Sequence, residues 1–155
     1  MTSTYRIHAL PDEVLEAVRT AGRDVSGNPV EAVTATGGEP LRCCLRDARA
    51  GETLLLFGHE PRLPASPYRE IGAVFAHVAR CEGADIAPGG YPADWYGRSQ
   101  VLRAYDARGW IHPATRVHDG SEPEKTIDTI LDDPRVTQIH SRNLAYGCYM
   151  FTITR

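Results

Sequence analysis

Short strand-like segments joined by hairpin-length links, relieved only twice by a helical pattern, constrain this chain more than any other feature. A parallel doubly wound sheet needs a helical crossover between successive strands, and this sequence does not supply them. The expected class is therefore α+β: a largely antiparallel sheet of short strands with two helices. No linker-like stretch divides the chain, so one domain spanning 1–155 is expected. That length buries roughly 70% of the unfolded surface.

The first strand is expected at 5–9. Pro11, Asp12 and Glu13 then suit the first turn of a helix whose apolar stripe is Val14, Leu15, Val18 and Ala21, with Gly22 ending it. Residues 23–41 read as loop. Strands are expected at 41–45 and 53–57, joined by a turn containing Asp47 and Gly51, and a third at 71–77 after a proline-rich crossing. Residues 82–97 again read as loop. The clearest hairpin pairs 100–105 with 110–117 around Asp106-Ala107-Arg108-Gly109, a type I turn closing on a left-handed glycine. The second helix is announced by Ser121-x-x-Glu124, a capping box, with Pro123 in its first turn. Ile127, Ile130 and Leu131 form its stripe, and Pro134 stops it. Two strands, 136–140 and 148–154, complete the chain.

Several function classes lose ground at once. The longest apolar run, Thr53-Leu54-Leu55-Leu56-Phe57, is strand-sized, so no membrane span is expected. The N-terminal residues lack a signal-peptide core, which points to the cytosol. Net charge is −3, which gives no support to nucleic-acid binding. No Gly-x-Gly-x-x-Gly, phosphate-cradling Gly-Lys-Ser/Thr loop, His-Glu-x-x-His or Gly-x-Ser-x-Gly is present.

Sixteen of the seventeen basic residues are arginine. Genomic base composition explains that bias as well as anion recognition does. A guanidinium nevertheless matches carboxylate or phosphate oxygens with two parallel hydrogen bonds. Arg42, Arg46, Arg98, Arg103 and Arg142, with Asn143 and Tyr105, are the candidate ligand-binding residues; isolated surface ion pairs are the plainer reading for most of them. His140 or His77, with Glu52 or Asp106 as a partner, is the candidate proton carrier, and Cys148 and Cys44 are the candidate nucleophiles beside arginines. Tetrahedral zinc would need four ligands from groups such as Cys44, His77, Cys81, His140 and Cys148. No Cys-x-x-Cys spacing supports it, and cysteine usually packs as a small hydrophobe. Neither metal nor cofactor is expected. Tyr91, Trp95, Tyr96, Tyr105 and Trp110 suit core packing, a pocket wall or an interface.

The string Glu39-Pro40-Leu41-Arg42-Cys43-Cys44-Leu45-Arg46-Asp47, followed by Gly51-Glu52, resembles the opening motif of an uncharacterised bacterial family, the domain of unknown function 1203. Ser66-Pro67-Tyr68, 72–77, Leu102-Arg103-Ala104-Tyr105-Asp106, His140-Ser141-Arg142-Asn143 and Gly147-Cys148-Tyr149 continue the resemblance over about 38–155. Relatives carry Cys where Leu41 stands here, so a two-thiol chemistry built on Cys-Arg-x-Cys spacing is not implied for this chain. The resemblance implies a small stand-alone protein and no established activity.

The leading expectation is a domain that binds a small anionic organic molecule, with catalysis open. Arg42, Arg103 and Arg142 would hold the anion, with His140 or Cys148 nearest any chemistry. One alternative is a non-catalytic interaction module using Trp95 and Tyr96 or the acidic segment 121–133; another is a zinc- or thiol-dependent enzyme.

Overall fold

The structure, a computed structural model, describes residues 5–155; residues 1–4, part of the stretch read as lacking an export signal, lie outside the described residues. The strands form two five-stranded sheets rather than one. The first runs in the order β1 (Arg6–His8), β10 (Tyr149–Thr154), β9 (Gln138–Asn143), β7 (Gln100–Tyr105) and β8 (Arg116–His118), antiparallel throughout. The second runs β2 (Glu31–Thr34), β5 (Thr53–His59), β6 (Gly72–His77), β3 (Pro40–Leu41) and β4 (Arg46–Asp47), and only its β3–β6 pair is parallel. The chain is thus α+β with mostly antiparallel sheets. No helix among the described residues is long and apolar enough to cross a membrane.

Each sheet has its own helix and its own core. Helix α1 (Asp12–Ala21) contributes Leu15 and Val18 to a cluster with Leu54, Phe57 and Val74 of the second sheet. Gly22 ends this helix at φ 65°, and its amide bonds to the Val18 carbonyl; only glycine takes that left-handed conformation without strain. Helix α2 (Pro123–Leu131) buries Ile127 and Ile130 completely beside Leu102, Ile139, Phe151 and Ile153 of the first sheet. Each such side chain stabilises the fold by about 1.5–3 kcal/mol.

Three expectations about local structure are corrected. The segment 23–41 is not all loop, because it carries β2 and β3. Strand β2 is an edge strand of mostly exposed residues bonded only to β5, so it has almost no apolar alternation to read. Of residues 41–45, only Leu41 lies in a strand, at the end of β3; 42–45 form a buried turn. Leu41 pairs with Arg46 across it, the Leu45 amide bonds to the Leu41 carbonyl, and Leu45 sits at φ 56°. Consecutive burial of Leu41, Cys43, Cys44 and Leu45 imitates the signature of a core strand. Strand β5 accordingly pairs with β2 and β6 instead. Finally, the Ser121 hydroxyl bonds to Asp119 instead of capping α2, whose N-cap is Glu122 with no side-chain cap bond; Pro123 sets its first turn.

The turn at 42–45 joins the two sheets. The Arg42 amide donates to Phe75 of β6, whereas its side chain donates to the Tyr149 carbonyl of β10. The two faces of this turn carry the two groups of chemically interesting residues.

Candidate functional site

A cavity of about 650 Å³ opens where β5 and β6 of one sheet meet the β9–β10 connection of the other. That volume lies in the range of small-molecule sites. Leu56, Ile71, Ala73 and Phe75 make its apolar wall; Arg42, Arg142, Asn143 and Cys148, together with the carboxylates Glu39 and Glu70, make its polar one. One rim is the Gly37-Gly38 turn, at φ 108° and 94°. The Glu39 carboxylate fixes that turn by accepting from the Thr36 and Gly37 amides, which hold it below the usual carboxylate range. The opposite rim carries Tyr146, which is 86% exposed.

Arg42 is 1% exposed. Its Nε donates to the Tyr149 carbonyl at 2.7 Å, one terminal nitrogen donates to the Pro40 carbonyl, and the other to Cys148 Sγ at 3.1 Å. Every acceptor is a carbonyl or a sulfur, and no carboxylate among the described residues pairs with it. Arg142, at the end of β9, donates to the Gly147 carbonyl at 2.9 Å and stands 3.6 Å from Glu70, while its buried Nε has no partner. Glu70 binds Arg103 at 2.7 Å, and that hydrogen bond is the main reason its carboxyl is held low.

Among the residues singled out from the sequence, Arg42, Arg142, Asn143 and Cys148 therefore meet at the cavity, and Arg103 joins them through Glu70. The others do not. Arg98 makes a two-pronged pair with Asp47 at 3.0 and 2.6 Å, and Arg46 a two-pronged pair with Glu52 at 3.0 Å. Tyr105, at the end of β7, is buried away from the cavity lining. His140 is buried behind the cavity, its ring 4.7 Å from that of Tyr105 and 5.3 Å from that of Tyr149, with Nε2 bonded to Gln138 at 3.0 Å. Burial, reinforced by the charges of Arg142 and Arg103, pushes its pKa down to about 3, so it stays neutral. His140 does not line the cavity, and its buried Nδ1 has no partner. Trp95 is also withdrawn from any interface: it is 0% exposed, stacked on Phe151, with Nε1 donating to Asp47 at 2.9 Å. Tyr96 remains partly exposed and donates to Glu124.

On the other face of the turn, Cys43, Cys44, His77 and Cys81 gather so that their donor atoms all lie within 4.8 Å of one another. All four cysteines of the chain are free thiols. Cys43 Sγ lies 3.9 Å from Cys44 Sγ and 3.5 Å from His77 Nδ1, and Cys44 Sγ lies 3.9 Å from the same nitrogen. His77 Nε2 meets Glu52 at 2.8 Å, one of the four histidine–carboxylate combinations the sequence left open. The Arg46 pair and the Arg49 amide fix Glu52 and hold it far below the ordinary carboxylate range. Asp106, its alternative partner, instead closes the hairpin tip with Arg108 and Trp110. The hydrogen bond with Cys44 and the His77 amide pull the Cys43 thiol down, and Cys44 is pushed up in return.

Sequence reasoning did not select Cys43, which it treated only as a neighbour of Cys44, and it placed His140 and Cys148 among the possible metal ligands; the fold puts neither in this cluster. The readable signal was His77-x-x-x-Cys81 at the end of a strand. No curated protein and no solved structure matches the chain. The sequence pattern of the proteins of unknown function DUF1203 matches residues 38–155, most of the chain, and takes in both the cavity's arginines and the thiol cluster. The chain belongs to that family.

Proposed function

We propose that the cavity binds a small organic molecule bearing a carboxylate or phosphate, with Arg42 and Arg142 holding the anion and the Leu56–Ile71–Phe75 wall taking the apolar remainder. The observation that carries this reading is the buried Arg42 guanidinium, which reaches a ligand-sized cavity without a carboxylate partner. A buried cation surrounded only by neutral dipoles is costly, and an entering anion offsets that cost. The unpartnered Nε of Arg142 adds an unused donor. Cys148 is the one nucleophilic atom on the polar wall, so any covalent chemistry on the bound molecule falls to it. Four unpaired thiols fit a reducing, cytosolic setting.

Isothermal titration with small mono- and dicarboxylates and with inorganic phosphate tests the reading. Wild-type protein should bind at least one of them. Arg142→Gln should weaken binding about 10- to 150-fold, the equivalent of about 1.5–3 kcal/mol for hydrogen bonds to a charged group. A flat titration with every anion, or equal affinity in the variant, removes the proposal.

A further inference from the structure

We infer that Cys43, Cys44, His77 and Cys81 form a four-ligand zinc site, closed by protein donors and separate from the anion cavity. Four donors within 4.8 Å of one another already outline a coordination polyhedron. Zinc–sulfur bonds of about 2.3 Å and zinc–nitrogen bonds of about 2.0–2.1 Å, set tetrahedrally, require S···S edges of about 3.8 Å and S···N edges of about 3.6 Å. The structure has one S···S edge of 3.9 Å and S···N edges of 3.5 and 3.9 Å. Three sulfurs and one imidazole select zinc among the common divalent ions, since magnesium and calcium require oxygen.

The surroundings are those a thiolate-bound metal needs. His77 spends Nε2 on Glu52, which leaves the Nδ1 lone pair facing Cys43 and Cys44. A carboxylate behind a histidine ligand orients the ring and raises its basicity. Glu52 is itself clamped by Arg46. The backbone amide of His77 donates to Cys43 Sγ at 3.3 Å. Binding releases the thiol protons, and three thiolates around a dication leave one net negative charge. The N–H···S bond to Cys43 and the nearby Arg46 guanidinium offset that charge.

Two other uses of these thiols fit less well. A Cys–His–Glu nucleophile needs substrate access, but Cys43 and Cys44 are buried and lie outside the cavity. A redox pair would not explain why Cys81 and His77 converge on the same point. With no ligand position left for water, the site is structural. It staples the turn at 42–45 and the end of β6 to the stretch 78–92, which has neither helix nor strand to hold it.

Full-length protein purified without chelator should contain one zinc per chain by elemental analysis. After metal removal, cobalt(II) should bind one-to-one and give the intense visible absorption of a tetrahedral thiolate site. Cys81→Ser, on a partly exposed loop, should weaken zinc binding at least 100-fold. Glu52→Gln, which touches no metal, should weaken it about 10- to 100-fold, and Cys148→Ser should leave the zinc affinity at the wild-type value. Absence of zinc and of the cobalt spectrum in wild-type protein with four titratable thiols would overturn the inference. So would full zinc retention in Cys81→Ser, or rapid alkylation of Cys43 in zinc-treated protein. None of these outcomes depends on whether the cavity binds an anion.

Discussion

Acidification from pH 7 to pH 5 should destabilise this protein well before its carboxylates titrate, and His140 should account for a large share. In the unfolded chain its pKa is about 6.5; in the fold, burial and the charges of Arg142 and Arg103 lower it to about 3. A lowered folded value means that the unfolded state takes up the proton first. The contribution of His140 is therefore fully present above about pH 6.5 and is lost progressively as the pH falls toward about 3. Between pH 7 and pH 5 the unfolded histidine becomes protonated and the folded one does not. Over about 1.5 pH units, at 1.36 kcal/mol per unit, stability falls by about 2 kcal/mol. His59, pushed down to about 4 mainly by burial and also by Arg42, has the same sign over the window from about 6.5 to 4 and adds a similar amount. His118 is lowered by burial as well. Urea denaturation followed by tryptophan fluorescence at pH 7, 6 and 5 measures the slope. His140→Phe keeps a ring between Tyr105 and Tyr149 and should flatten the loss by about 2 kcal/mol. Its difference from wild type isolates this group from every other titration, including that of the thiols. Equal stability of the wild type at pH 7 and 5, or an unchanged slope in the variant, would refute the reasoning.

Two further perturbations separate backbone and hydrogen-bond effects. A Cβ added at Gly120, at φ 85°, would stand 2.2 Å from the Arg98 amide nitrogen, whereas one at Gly147, at φ 74°, meets nothing within 4 Å. Gly120→Ala should cost at least about 3 kcal/mol and Gly147→Ala about 1 kcal/mol; similar losses in equilibrium denaturation would contradict the contrast. Asp47 accepts from the fully buried Trp95 Nε1 and from Arg98. Asp47→Ala should cost about 2–3 kcal/mol by orphaning the indole, and Asp47→Asn less than about 1 kcal/mol because it keeps an acceptor. Equal melting temperatures for the two variants would show that the indole bond contributes little.

What the sequence determined by itself was local. The stripes of α1 and α2, the glycine that stops α1, the hairpin tip at Asp106–Gly109 and the strands β6, β7, β9 and β10 depend on periodicity and turn chemistry among neighbouring residues. The polar set Arg42, Arg142, Asn143 and Cys148 was legible because its members flank strands and loops in a recognisable family pattern. Tertiary structure decided the partners. It divided the strands between two sheets, made an edge strand of the nearly featureless β2, and folded 42–45 into a turn that a run of buried residues disguises as a strand. That turn sends Arg42 to one side and Cys43 and Cys44 to the other. It thereby placed a guanidinium against a cavity and two thiols against His77 and Cys81. Convergence of this kind comes from long-range strand pairing and core burial, and residues far apart in the chain carry no local sign of it.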